Sequence, residues 1–336
     1  MAWSQMDMGI DLGTENIRVF VRGRGVVIDE RSVVAVHART GQFLEAGNRA
    51  SEALYKDPYE RKLIKPISAG AISRYDGALM ILRWAIARAI GGAVIRPRVV
   101  LSAPSRATDV ERRALRQAAM EAGAREIAMI EAPMAAAIGA GIDVFESTGH
   151  MVVDIGAGVT DIGVIAIGGL VAGDRLDTGG DSFDKALIRY VRSSRNLMLG
   201  DRAAECMKAE VGAAHGGVAA LSMIVHGRDL ASGLPREASV TSQEISEALS
   251  ACLRDISDAV RCVIEATPPE LIADISEHGI LLTGGASRLR GIADCVGEAA
   301  GVRALVAPDP ARCVINGLGR FAEGMDLRVT SSVKRV

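Results

Sequence analysis

Two stretches of this chain carry one pattern. "MGIDLGTENIRVFVRG" (residues 8–23) and "MVVDIGAGVTDIGVIAIGG" (151–169) each run through an apolar segment, an Asp, an apolar residue, a Gly, a short polar turn and a second apolar segment. Each reads as two short strands joined by a tight turn. The recurrence after about a domain's length of chain predicts a duplicated α/β unit rather than one continuous sheet. A chain of 336 residues has room for two such units, each with a core. With 49% hydrophobic but only 3% aromatic residues, those cores are built from Val, Ile, Leu and Ala.

The rest of the chain fits alternating elements. Residues 7–12, 17–22 and 25–36 read as a meander of strands, 76–90 as an apolar-faced helix, and "RPRVVLSAP" (96–104) as a buried strand ended by Pro. A capping box, Thr108 with Glu111, opens a helix that closes at Gly123. "REIAMIEAP" is a further strand and "MAAAIGAG" begins a helix. At 147–150 the pattern restarts, with strands over 151–167 and 170–177 and a helix from about Ser182. Segment 212–241 is Gly-rich and reads as an irregular, smaller subdomain. A second capping box, Thr241 with Glu244, starts a long helix stopped by Pro268 and Pro269. The strand "GILLTG" and another helix follow, and 314–322 is expected to pack back on the first half.

Several functions are disfavoured. A net charge of −2 gives no broad attraction to nucleic acid, and no nucleic-acid partner is expected. The five cysteines form no C-x-x-C pair and have no His at zinc spacing, as for free thiols in a reducing cytosol. "MAWSQMD" lacks the basic and apolar regions of a signal peptide, and no apolar run is long enough to span a bilayer. A cytoplasmic protein is expected.

The chemistry lies in the turns. Successive backbone N–H groups in "DLGTEN" and "DIGAGVTD" form nests suited to phosphate oxygens, and glycine lets the backbone come close. Thr14, Asn16 and Thr160 add side-chain donors. Asp11 and Asp154 would stand beside a polyphosphate, which is unfavourable unless Mg²⁺ or its water shell lies between. An ordinary Gly-containing hairpin explains one such turn; two with matched Asp residues favour a clamp. A third small-residue turn, Thr283-Gly284-Gly285-Ala286-Ser287, follows a buried strand and leaves room for a ring or ribose. No G-x-x-x-x-G-K-[ST] is present, so a P-loop is not the device.

A twice-given strand–DxG–strand turn with a late GG turn resembles the actin-like ATPases, a superfamily that also holds sugar kinases. Within it, "IDLGTEN", "PRVVLSAPS", "PMAAAIGAG", "TGHMVVDIGAGVTDI", "GDRAAECMKAEVG" and "TPPELIADISEHGILLTGGASRLRG" are similar, in order, to segments of the MreB family of bacterial actins. The resemblance covers residues 7–323. It implies a duplicated actin-like (ribonuclease H-like) α/β fold of two lobes and four subdomains, with ATP and Mg²⁺ in the cleft between the lobes. The first lobe would be 1–146, with 34–72 inserted as a small subdomain and 314–336 completing it; the second would be 147–313, with 182–240 inserted. It also implies homopolymer filaments on the inner membrane face and cell-wall elongation proteins as partners.

Residue by residue, the resemblance implies phosphate contacts from Gly13, Thr14, Glu15 and Asn16 and from Gly156, Ala157 and Gly158. It implies nucleoside contacts from Glu205 and Lys208, which share a helix face, and from Gly284, Gly285, Ala286 and Ser287. Asp154 and Asp161 would lie near the γ-phosphate as the remaining catalytic carboxylates, compensating in part for the departure at Ala132. The departures are informative. Where the family reads Glu-Glu-Pro, its second Glu orienting the attacking water, this chain has Glu131-Ala132-Pro133. Ala132 can neither accept a proton nor hold water, and such activation is worth about 10²–10⁴ in rate. Slow or absent hydrolysis is therefore expected. Ile17 and Arg31 replace the family's usual Thr and Pro, and Ala157 and Ala286 stand where Gly is usual. Val94 and Ile95 match an apolar membrane loop, or simply begin the next strand. A non-polymerising regulatory paralogue and a sugar or metabolite kinase are the rival readings.

Overall fold

The structure is a computed structural model that describes residues 7–56, 59–91 and 96–323. The first half runs β1 (Asp7–Leu12), β2 (Asn16–Val21), β3 (Gly25–Arg31), β4 (Val34–His37), β5 (Phe43–Ala46), α1 (Asn48–Lys56), β6 (Arg61–Ile64), β7 (Ile67–Ser68), β8 (Ala71–Ile72), α2 (Tyr75–Ile90), β9 (Arg98–Ala103), α3 (Asp109–Glu121), β10 (Glu126–Glu131) and α4 (Ala132–Ala140). The second runs β11 (His150–Ile155), β12 (Thr160–Ala166), β13 (Gly169–Leu176), α5 (Gly180–Arg195), β14 (Leu197–Met198), α6 (Asp201–Val211), β15 (Ser222–Asp229) and β16 (Pro235–Thr241). It continues through α7 (Ser242–Glu265), α8 (Pro269–His278), β17 (Ile280–Thr283), α9 (Ile292–Ala300), β18 (Ala304–Val306) and α10 (Cys313–Ala322).

The repeat seen in the turns extends to whole sheets. One sheet has the order β3-β2-β1-β9-β10 and the other β13-β12-β11-β17-β18. In each, the first three strands are antiparallel neighbours and the last three parallel ones. Strand alternation places Met8, Ile10, Ile17 and Val19 in the first core and Met151, Val153, Ile162 and Val164 in the second.

A third apolar cluster, with Ile130, Met134, Val152, Ile165, Ile315 and Leu318, joins the halves. It is organised by α4 and α10, whose backbones meet at small residues. A Cβ added to Gly139 would lie 1.8 Å from the Cys313 carbonyl oxygen, and one on Gly317 1.8 Å from that of Ala135. Because α10 packs on β1 and β2 while α4 packs on β11 and β12, the chain ties each sheet to the other half.

Both capping boxes form as read. Two segments differ. The strand expected over 25–36 breaks at Ser32, whose N–H donates to the Glu15 carbonyl, so β3 and β4 enter different sheets. The segment 212–241, expected to be irregular, holds the regular β15–β16 hairpin, paired from Ser222↔Thr241 to Arg228↔Pro235. Val225 and Val240 are its buried anchors, and with Ile224 exposed beside them the strands show no clean alternation of apolar and polar residues.

Candidate functional site

Between the two sheets lies a cavity of about 680 Å³, within the range of small-molecule sites. The β1–β2 and β11–β12 turns enter it from opposite halves. Each turn is closed by one backbone bond, Gly13 N–H to Asn16 O at 3.0 Å and Gly156 N–H to Val159 O at 2.9 Å. A Cβ on Gly158 would sit 2.4 Å from Thr14 Oγ1, so the turns touch. Glycine is required here for proximity rather than for left-handed backbone, since Gly13, Gly156 and Gly158 all lack positive φ. The second turn is braced by α5: Gly180 N–H donates to Gly156 O at 3.0 Å and Asp181 N–H to Ala157 O at 2.8 Å. Ala157 and Ala286 also lack positive φ, so neither strains its turn.

Two matched hydroxyls hold the cleft's carboxylates. Ser102, ending β9 beside β1, donates to Asp11 Oδ1 at 2.8 Å; Thr283, ending β17 beside β11, donates to Asp154 Oδ1 at 2.7 Å. Asp161 Oδ1 accepts from the Ser105 backbone N–H at 2.9 Å and lies 2.8 Å from the Ser105 hydroxyl. Burial raises Asp11 and Asp161 above the ordinary carboxylate range and pushes Asp154 up to about 7, with Asp161 and Asp11 adding repulsion. Buried like charges of this kind call for a cation. Among the described residues no group of three or more His, Cys, Asp or Glu can hold a metal alone. The donors fit Mg²⁺, which binds through one or two carboxylates, waters and substrate phosphates rather than in a protein cage.

At the mouth, Arg31 joins the halves, pairing with Glu15 and, at 3.3 Å, with Glu205 on α6. Lys65 lies 3.8 Å from Glu15. Lys208 donates to Asp184 at 2.8 Å and to the Gly180 carbonyl at 3.1 Å. The third turn is a 3-10 segment, Gly285–Arg288, preceded by Gly284 at φ +83°, and Gly284, Gly285 and Ala286 line the cavity. Asn16, Asp11, Asp154, Asp161, Glu205 and Lys208 line it as well.

Two predicted donors do not reach the cavity. Thr160 is fully buried and its hydroxyl donates to the Thr178 carbonyl at 2.7 Å. Ser287, also buried, donates to the Gly284 carbonyl at 2.7 Å. Ile17 belongs to the first core rather than to the turn's polar face. Val94 and Ile95 lie outside the described residues. Ser102 and Arg18 line the cleft and the fully buried Thr283 holds Asp154 from behind it, none of them among the expected site residues; an aligned hydroxyl in "VVLSAP" and "ILLTGG" is the available signal. Ala132 occupies the first turn of α4 and lines the cavity, while Arg112 Nη2 holds Glu131 at 3.1 Å.

A duplicated α/β body with a cavity between two facing hairpin turns defines an actin-like two-lobed protein. The chain belongs to the MreB/Mbl family, whose model, described as MreB/Mbl protein, matches residues 5–330. It is 42% identical over 327 residues to the cell shape-determining protein MreB of Escherichia coli K12, covering 96% of this chain and 94% of that protein. MreB5 of Spiroplasma citri bound to ADP superposes with a TM-score of 0.89 at 33% identity, over 94% of this chain and 96% of that one. A chain of a MamK double helical filament shares the fold, with a TM-score of 0.82 at 23% identity over 96% and 100% of the two chains. No helix among the described residues is long and apolar enough to cross a membrane.

Proposed function

We propose that this chain binds ATP with Mg²⁺ in the interlobe cavity and polymerises into membrane-associated filaments that direct cell shape and cell-wall synthesis. The observation that carries the nucleotide reading is the contact of the two glycine turns at Gly158 and Thr14, one from each half. A polyphosphate held there touches both halves at once, so the nucleotide reports on the angle between them. Asp11 and Asp154 hold the cation, through water; Gly13 to Asn16 and Gly156 to Gly158 offer the phosphate nest. Glu205, Lys208 and the Gly284–Ala286 turn face the nucleoside. When bound, the cation supplies charge neutralisation for the phosphates. The ADP and AMPPNP complexes of the Spiroplasma citri relative support this assignment.

Hydrolysis is slow in this reading. At the position beside the cavity where water activation is needed, Ala132 offers only a methyl group, and Glu131 is engaged by Arg112. A second reading follows from the same residue: a regulatory paralogue that co-assembles with an active filament former without polymerising by itself. Electron microscopy of the purified protein with ATP, with and without lipid, separates the two. Filaments support the first reading; their absence, with incorporation into filaments of a related active protein, supports the second. Phosphate release at the rate of an active family member would overturn slow hydrolysis.

A further inference from the structure

The internal repeat reveals a difference between the two jaws. Across β1 and β2, Asp11 faces Arg18; at the matching place across β11 and β12, Asp154 faces Asp161. The neighbouring strands keep the symmetry, with Ser102 and Thr283 serving Asp11 and Asp154 alike. The central charges do not. Arg18 is 13% exposed, its Nη1 is 3.7 Å from Asp11 Oδ2, and its Nε donates to Asp29 Oδ1 at 3.0 Å. Asp29 is itself held by Arg312 at 3.0 Å. Asp11, Arg18, Asp29 and Arg312 thus form a charge-balanced chain of side chains. The hydrogen bonds to Asp154 and Asp161 instead come from neutral groups, the Thr283 and Ser105 hydroxyls and a backbone N–H.

Arg18 lines the same cavity as both Asp residues, and its charge acts on Asp154 as well as on Asp11. A guanidinium stays protonated at any working pH and carries five donors, of which Asp29 takes Nε–H and Asp11 attracts Nη1. The remaining donors belong to a group fixed in the cavity wall beside the turn Gly13–Asn16. Resting on the nucleotide reading above, we infer that Arg18 is an internal cation of the phosphate clamp. It offsets the charge of Asp11 beside the cation site and gives the polyphosphate a guanidinium partner, so nucleotide is retained with weak dependence on Mg²⁺.

The test is a titration of mant-ATP into wild type, Arg18→Met and Arg18→Lys, each in saturating Mg²⁺ and in excess EDTA, with melting curves as a check of folding. A charged hydrogen bond of this kind corresponds to roughly 10–100-fold in affinity. Wild type is expected to lose under about 10-fold on removal of Mg²⁺, Arg18→Met over about 100-fold, and Arg18→Lys an intermediate amount. A purely structural Arg18 would lower the melting temperature of Arg18→Met and leave its ratio of affinities with and without Mg²⁺ equal to that of wild type, which overturns the inference. If Arg18→Met does not fold, wild type decides alone: a loss of more than about 10-fold in EDTA overturns it. Wild type that binds no mant-ATP even in Mg²⁺ overturns the nucleotide reading itself.

Discussion

The Cβ that Gly158 lacks would fall 2.4 Å from the Thr14 hydroxyl oxygen, closer than any side chain tolerates. These residues belong to opposite halves of the duplicated fold, so their contact sets the spacing of the two turns. Thr14 is also fixed from the other side, its hydroxyl accepting from Gly70 N–H at 3.2 Å. The jaw of the first half therefore cannot yield freely when the second is enlarged.

From this follows the first prediction. Gly158→Val pushes the turns apart and weakens mant-ATP binding by more than about 10-fold, because a phosphate no longer reaches both nests. The cores are untouched, so melting of the ligand-free protein changes by only a few degrees. Unaltered affinity in a folded variant would show that the nucleotide does not sit between the turns.

The second prediction concerns Ala132. Replacing it by Glu puts a carboxylate at the start of α4, where it faces the cavity and can orient water. Phosphate release is expected to rise by about 10²-fold, the lower end of what a positioned base contributes. The helix tolerates the change, since an acidic residue in a first turn suits the helix dipole. A folded Ala132→Glu protein that binds ATP with no faster turnover would place the block to hydrolysis elsewhere.

How far the sequence led can be argued from particular residues. The two turns and their Asp residues were legible because strand, turn and strand lie within twenty or so positions. The duplication of the sheets was legible for the same reason, and its family resemblance agrees with the fold. Thr160 was misread because a strand alternates its side chains: with Asp161 toward the cavity, Thr160 must face away. Ser102 and Thr283 were missed because their roles depend on the register of parallel strands far apart in the chain, Ile10↔Leu101 and Asp154↔Thr283. The β15–β16 hairpin escaped because its exposed strands carry little apolar period. Arg18 belongs to no motif in the sequence; only the pairing with Asp11 gives it a place.

A third prediction uses the pH dependence of Asp154. Its folded value, about 7, lies above the unfolded value of 3.8, chiefly through burial. The folded state then holds the proton more tightly, so this group's contribution is full below pH 3.8, falls as pH rises and is lost above about 7. Asp154→Asn, which keeps an acceptor for Thr283, removes that loss. Ligand-free variant and wild type should be equally stable near pH 4, with the variant ahead by on the order of 4 kcal/mol at pH 8. Asp11 and Asp161 shift in the same direction and repel Asp154, so the difference between the two curves reports Asp154 together with its coupling to both. Parallel melting curves across this range would refute the burial of a charge there. The same variant should lose most of the stabilisation that Mg²⁺ with ATP gives to wild type.

The last prediction addresses the crossing of α4 and α10, on which the relation of the halves depends. On an exposed helix, Gly→Ala stabilises by up to about 1 kcal/mol. At Gly317 the sign should reverse, because the new methyl would lie 1.8 Å from the Ala135 carbonyl oxygen, in backbone that cannot turn aside. Relief requires α10 to move away from α4. Leu318 would then shift against β1, where the space above Gly9 is already filled by the Leu318 Cβ at 2.9 Å from an added carbon. Overpacking of this kind costs typically 1–3 kcal/mol, and more where backbone is the obstacle. Gly317→Ala should therefore lower the melting temperature by several degrees, whereas Gly216→Ala, with no atom within 4 Å of the added carbon, should leave it unchanged. The displaced α10 also carries Val314, which lines the cavity, so nucleotide affinity should fall together with stability in Gly317→Ala alone. If the two variants melt alike, close packing of α4 on α10 does not hold the halves in register.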